Sequence, residues 1–457
     1  MAREPLAVSA PGKVLFTGGF LVLDRKHTGL VLGLDARIHV HVEAWKKSEI
    51  STNQEGSTMV LVQSPQFRNA KWLYNVVNTQ TDLAVQVRQV TDLQSFTQSS
   101  NKFVETTLQY ALTYLRSRSS SIDTSCKLTI LADDSYYSQS VTSGQTQQGF
   151  LDFGCQISEA HKTGLGSSAA LVTALAAALV TWYTEGTDQA LPQRMVHNLA
   201  QAAHCAAQGK VGSGFDVAAA VFGSCLYRRF TPSILEAVGE PNSSGFMDKL
   251  RLCVDDLNLD YKWDVEISSR AVQLPKSLLL LMCDVDCGSE TPSMVRKVLA
   301  WRKEKQAEAG LLWNAIQEGS NDLCRNLTHL SQLEGVDKQA RQELTDTILT
   351  IRSLVREMSA KSGVPIEPKV ITELLDFCSS QHGVIGGVAP GAGGYDAVAL
   401  LVDNDVEVVR DLEQRLDRWQ AFEEGTGMAI GKVRLLKVRQ AYEGARYEDA
   451  NKYSEWV

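Results

Sequence analysis

No surplus of basic charge, no paired-cysteine motif and no GxxxxGK[ST] phosphate loop occurs in this chain of 457 residues. Lysine and arginine number 45 against 53 aspartates and glutamates, a net charge of −8. Broad binding to nucleic acid or to an anionic membrane therefore has no electrostatic field behind it, and an anionic ligand would need a local cluster of cations. The nine cysteines are scattered without CxxC spacing, which argues against a zinc ribbon or a disulfide framework. They read as reduced, inert packing thiols of a cytosolic protein. Glu4 and Pro5 stand where a targeting segment needs basic or apolar residues, so no leader is expected. Apolar content of 44% and charged content of 21% are those of a soluble globular protein, and the length implies two domains.

Charge is also missing from residues 164–183. Alanine, serine, threonine and glycine dominate that span and insert weakly into bilayers, so a buried core helix is expected there. Its start, KTGLGSSAALVTALAAALV (162–180), sets a glycine-rich turn directly before a run of high helix propensity. Exposed backbone N–H groups and the positive end of a helix dipole together suit a polyanion, most simply a nucleotide phosphate. Ser167 and Ser168 lie where they can cap the helix or reach a phosphate-bound metal. Glycines in this position also serve plain close packing. Gly164, Gly166 and Ala169 fit the dinucleotide pattern G-x-G-x-x-A, but 155–163 makes a poor buried strand and Glu185 follows a helix rather than a strand.

Along the chain, AVSAPGKVLFTGGFLVL (7–23) reads as a strand, a Pro-Gly turn and a second strand. In residues 36–44, Ile38, Val40 and Val42 alternate with His39, His41 and Glu43; the histidines are assigned to a solvated or half-buried face with no metal role. The polar stretches 75–100 and 133–149 read as mobile loops flanking a helix at 102–116 and a strand at 127–131. Helices are expected at 168–183 and from Pro192 to Gln208, and strands at 225–230 and 278–283. Residues 231–250, with Pro, Gly, Ser and Asn, form the candidate boundary. Thr291-Pro292 opens a helix, with others at about 305–330, 337–361 and 405–420. A glycine-dense loop enters a strand within 383–402, and a strand at 432–438 precedes a charged tail.

Three segments share a character: APGK (10–13), the loop at 162–170 and the glycines of 386–396. Repeated glycine backbone lets a chain approach a ligand closely, at an entropic cost that a structural loop seldom repeats. Lys13 and Asp216 each lie in apolar surroundings, where an unpaired charge is expensive. Both can be paired structurally; their occurrence in glycine-framed segments favours a phosphate-transfer site.

SAPGKVLFTGGFLVL, KTGLGSSAALVTAL and PGAGGYDAVALLV resemble the three motifs of the GHMP small-molecule kinases, in order and over nearly the whole chain. HNLAQAAHCAAQGKVGSGFDVAAAVFGSCLYRRF (197–230) is similar to the phosphomevalonate kinase branch of fungal and plant type. The resemblance implies an α+β, two-domain fold: an N-terminal ATP-binding α/β domain (1–235) and a C-terminal ferredoxin-like α+β domain (236–457), with a cleft between. It implies ATP and Mg²⁺ as cofactors and phosphomevalonate as phosphoryl acceptor, with no nucleic-acid or membrane partner, in a monomer or weak homodimer. ATP would lie on Lys162, Gly164, Leu165, Gly166, Ser167, Ser168, Ala169 and Ala170, with Ser168 a Mg²⁺ ligand. Lys13 and Asp216 would be catalytic, Lys13 also touching substrate. Gly391, Ala392, Gly393 and Gly394 would close over the phosphates or acceptor. Lys210, Ser213 and Gly214, in a glycine turn one step from Asp216, are assigned to the acceptor phosphate, with a plain solvated loop the alternative.

Mevalonate-kinase relatives carry a magnesium-binding glutamate a little before the aspartate; here that neighbourhood reads His204, Cys205, Gln208. Arg228 and Arg229 are given no site role. Gly288-Ser289-Glu290-Thr291, between a buried strand and a helix, could bind an anion but more commonly serves as a plain helix cap. Rival readings are a GHMP kinase with a hydroxyl acceptor, such as mevalonate kinase, and a catalytically silent relative that binds a small molecule.

Overall fold

The computed structural model describes residues 3–45, 58–77, 82–91, 99–118, 122–138, 146–147, 149–184, 190–285, 291–333, 338–423, 428–430, 432–436 and 438–457. Two sheets organise it. The first is ten-stranded and built on two long neighbours, β1 (Leu6–Thr17) and β2 (Gly29–Ala44), which pair antiparallel. The far edge of β2 is shared by Cys225–Arg228, by Gln440–Ala441 and by β6 (Cys126–Ala132). Beyond β6 lie β3 (Thr58–Gln63), which is parallel to it, then β4 (Lys71–Val77) and β5 (Gln86–Gln89). Four helices cover one face: α1 (Lys102–Ser117), α2 (Ser167–Thr184), α3 (Gln193–Gln208) and α4 (Phe215–Phe222). Helix α2 is long and apolar enough to cross a membrane by length and composition. Here it packs against β1, β2, α1, α3 and α4, and almost every side chain from Ala169 to Tyr183 is buried.

The first body continues past residue 235. The stretch 231–250, expected to be a boundary, holds α5 (Ser233–Glu236) and the start of α6 (Phe246–Val254), which packs on α1 and α3. Strand Glu266–Ser269 then pairs with Cys225–Arg228. Polar composition misled here because Phe246, Leu250, Cys253 and Val254 bury one side of α6. The second sheet begins at Leu278 and is wholly antiparallel, in the order Val384–Val388, Ala397–Asp403, Leu278–Val285, Val433–Leu436. It carries α7 (Thr291–Glu304), α8 (Gln306–Gln332), α9 (Lys338–Ser362), α10 (Lys369–Ser379) and α11 (Val406–Leu416). The sequence pattern had not singled out α10. One hydrophobic core runs from β1 and α2 into α8, α9 and the second sheet.

Other differences have local causes. Pro11-Gly12 makes no turn: β1 runs straight through it, and β2 absorbs the irregularity by slipping register between the partners Arg37 and Leu34. The polar stretch 75–100 contains the end of β4 and all of β5; its residues 78–81 and 92–98 lie outside the described residues, as do 139–145 and 148 of the second polar stretch. His39 and His41 are each 2% exposed rather than solvated, because the charged tail folds back over them. Arg446–Glu448 pairs with β1, and the Tyr453 hydroxyl lies 2.9 Å from His39 Nδ1. Asp133 approaches the other ring nitrogen at 3.3 Å. The eight described cysteines are free; Cys287, with Gly288, Ser289 and Glu290, lies outside the described residues.

Candidate active site

The three glycine-rich segments meet along β1. The Lys13 amide donates to the Leu165 carbonyl at 2.9 Å, and the Gly391 amide donates to the Leu15 carbonyl at 3.0 Å. Both approaches depend on absent side chains. A Cβ on Gly166 would stand 2.8 Å from Lys13 Cε, and one on Gly19 would stand 2.0 Å from the Gly391 oxygen. Gly164 and Gly166 also have φ of 72° and 83°, backbone that L side chains rarely adopt. The chain therefore turns sharply into α2 and leaves the helix mouth facing Lys13.

The Lys13 Nζ donates to the Gly164 carbonyl at 3.4 Å and lies 5.5 Å from the centre of the Phe215 ring. Burial is the largest influence on its ammonium and lowers its pKa below the ordinary 10.5, while the Asp216 charge acts in the opposite sense. No direct ion pair joins the two groups, and the Lys13 amine faces the helix mouth. Asp216 stands in the first turn of α4, a favourable place for negative charge. It is there because Gly214, with φ of 85°, caps the helix in a space closed by Tyr227, Gln201 and Phe230.

Ser168 lies at the start of α2, and its Oγ is 3.1 Å from His204 Nε2. Nδ1 of the same ring is 3.9 Å from Asp216 Oδ2. The side chains of Ala169 and Ala170 are buried in the core behind the mouth. Lys162, exposed on the short strand His161–Lys162, lines a cavity of about 80 Å³ together with Ser167 and Ser168. Phe67, Trp72, Phe103, Tyr137 and Ile157 form its apolar wall. Those five residues come from separate elements with no shared motif, so nothing in their spacing could have announced them.

The 209–214 turn is held from below. Arg229 donates to the carbonyls of Val211 (3.1 Å) and Gly212 (2.8 Å), and the Tyr227 hydroxyl donates to that of Ser213 (2.6 Å). Arg228 pairs with Glu266 at 2.9 Å. Lys210 is exposed and lines a groove of about 550 Å³ with Lys102, Tyr110, Cys205, Glu236 and Glu240; neither Lys13, Ser168 nor Asp216 lines it. Ala392 packs beside Phe20 and Leu21. Gly393 and Gly394 dock on Ile366, whose oxygen accepts from the Gly394 amide at 2.9 Å. Among the described residues no group of three or more His, Cys, Asp and Glu side chains could by itself hold a metal ion.

Family models for the GHMP kinase N-terminal and C-terminal domains match residues 148–224 and 342–418. A phosphomevalonate kinase of Aspergillus fumigatus is 47% identical, over 99% of this chain and 98% of its own length. One of Gibberella zeae is 46% identical over the whole of both, and a peroxisomal one of Arabidopsis thaliana is 30% identical over 88% of this chain and 90% of its own. Among solved structures, a phosphomevalonate kinase of Streptococcus pneumoniae in complex with phosphomevalonate and AMPPNP superposes with TM-score 0.58. It is 15% identical, with 94% of this chain and 99% of that one covered. The Lin0012 protein of Listeria innocua superposes at 0.62 with 18% identity, covering 95% and 100%. With its glycine loops gathered on β1 and its likeness running end to end, the chain belongs to the GHMP kinases and, within them, to the phosphomevalonate kinases.

Proposed function

We propose that this chain is an ATP-dependent phosphomevalonate kinase, transferring the γ-phosphoryl group to 5-phosphomevalonate to give 5-diphosphomevalonate and ADP. The observation that carries the reading is a lysine held at a glycine-framed helix mouth, in a chain related over its full length to phosphomevalonate kinases. The α2 mouth, with Gly164 to Ser168, receives the nucleotide phosphates, and the aromatic-walled cavity beside Lys162 and Ser167 suits the base. The free thiols of the described residues, most of them buried, suit a cytosolic setting.

A phosphate monoester acceptor, with its second pKa near about 6, is largely dianionic at neutral pH and needs no strong general base. The obstacle is bringing one anion against another. Catalysis therefore rests on neutralisation and in-line positioning. Lys13 stands between donor and acceptor phosphoryl groups, and Asp216 orients it. Lys210 and Ser213 are assigned to the acceptor phosphate from their place in the glycine turn that leads into the helix carrying Asp216. Ser168 fits Mg²⁺, a hard cation that takes oxygen donors and is usually held through one or two protein groups plus substrate phosphates. Bound there, Mg²⁺ would supply further charge neutralisation.

Incubating the pure protein with ATP and Mg²⁺, with mevalonate and phosphomevalonate offered separately, tests the proposal. ADP and a diphosphate product from phosphomevalonate alone is the expected result. Product from mevalonate alone would identify a hydroxyl-acceptor kinase, and turnover of neither a silent relative.

A further inference from the structure

One side chain of α3 bridges the two helices that carry Ser168 and Asp216. His204 is 2% exposed, and the Phe103 ring stacks on it at 5.7 Å with an interplanar angle of 29°. Its Nε2 lies 3.1 Å from Ser168 Oγ and 3.3 Å from the amide nitrogen of Gln208, and its Nδ1 faces Asp216 at 3.9 Å. An amide nitrogen only donates. An ionised carboxylate only accepts, so the nitrogen turned toward Asp216, Nδ1, carries the proton of the neutral ring, and Nε2 is left to accept from the Ser168 hydroxyl and the Gln208 amide. The Ser168 hydroxyl therefore donates to Nε2, and its lone pairs are directed away from the imidazole.

We infer that His204 is a positioning residue that fixes the Ser168 hydroxyl rotor so that its oxygen is presented to the nucleotide-bound cation. The inference rests on the kinase reading above. A first-turn serine without such an acceptor turns its proton to a backbone carbonyl or caps a free amide, and its oxygen then has no set direction. A histidine in place of a carboxylate adds no negative charge, so the cation arrives with the nucleotide and finds one oriented hydroxyl.

The test is AMPPNP affinity by titration calorimetry, with excess Mg²⁺ and with EDTA, in wild type, His204→Leu and His204→Gln. Loss of an outer contact to a metal ligand costs about 10- to 100-fold in metal affinity or activity. His204→Leu should weaken binding by about 10-fold with Mg²⁺ and leave it unchanged in EDTA. His204→Gln, whose amide oxygen can accept from Ser168, should recover most of the loss, and in a Ser168→Ala background it should change nothing further. The same split should appear as a raised KM for the Mg²⁺–ATP complex. Should the leucine variant unfold below the assay temperature, His204→Asn, too short to reach Ser168, takes its place. Equal weakening with and without Mg²⁺, no weakening, or glutamine as poor as leucine overturns the inference. Wild type that fails to bind AMPPNP under both conditions overturns the kinase reading itself.

Discussion

Burial opposes the charge on Lys13, and the nearby Asp216 favours it. The aliphatic stem of Lys13 fills the space that the missing Gly166 side chain leaves, and its ammonium reaches a backbone carbonyl of the helix mouth. A polyanion arriving there would relieve the cost of that desolvated cation. Asp216 is near enough to influence Lys13 but is not bonded to it, which suits an orienting role better than proton abstraction from an acceptor that is already ionised. Lys13→Met should therefore lower kcat by about 10²- to 10³-fold, the loss typical for one electrostatic stabiliser. Asp216→Asn should lose less. Steady-state kinetics on variants with unchanged circular dichroism checks the ranking; the reverse order would make Asp216 the general base.

Helix α3 buries polar groups as well as apolar ones, and they make its stability depend on pH. His197 is 1% exposed, packed between Phe222 and Trp263. Burial, its largest influence, pushes its pKa from 6.5 down to about 4, with the Asn198 side chain working the other way. The folded state thus binds fewer protons than the unfolded state between these two values, and stability rises with pH across that window. The contribution is fully present above about pH 6.5, is lost as the pH falls toward about 4, and amounts to about 3 kcal/mol. His27, His39 and His41, all lowered first by burial, act in the same sense. Replacing His197 with Phe should flatten the curve of melting temperature against pH between 4 and 6.5, as measured by calorimetry. An unchanged slope would show that other groups dominate.

Over the whole molecule, the first body is completed by the last residues of the chain. Gln440–Ala441 and Arg446–Glu448 add to the first sheet after the chain has built the second, while Tyr453 and Trp456 close a small core with Ala7, Leu131 and Phe150. Links also run between the bodies near the start of the chain. Arg302 of α7 pairs with Asp24 and stacks 3.8 Å from the Trp313 ring, and Gln317 of α8 accepts from the Thr28 amide at 2.8 Å. Removing residues 440–457 should abolish cooperative unfolding of the first body. The milder Tyr453→Ala should cost about 3 to 5 kcal/mol, as for other large buried aromatics. Thermal melts with near-ultraviolet circular dichroism check both, and a cooperative transition in the truncated chain would refute the dependence.

Local order was legible from residue pattern alone. Glycine followed by an uncharged alanine-rich run reads as a turn into a buried helix, and the three glycine-rich motifs carry the family resemblance; in the fold, Gly19 and Gly166 let those segments meet. The run LLLLMC at 278–283 likewise had to be a buried strand. Long-range pairing was not legible. A polar, charged tail looks the same whether it is free or adds a strand to β1: Arg446 stays exposed, and Glu448 is covered only because it meets Ser9 and Arg37. His39 and His41 alternate just as solvated residues would, and Tyr453, returning from the tail, covers both while Phe150 packs on His39. Pro11-Gly12 reads as a turn until the neighbouring strand is known to take up the slip. The contact of His204 with both Ser168 and Asp216 was likewise decided by packing: three helices cross at one point, and no spacing within any one of them records the crossing.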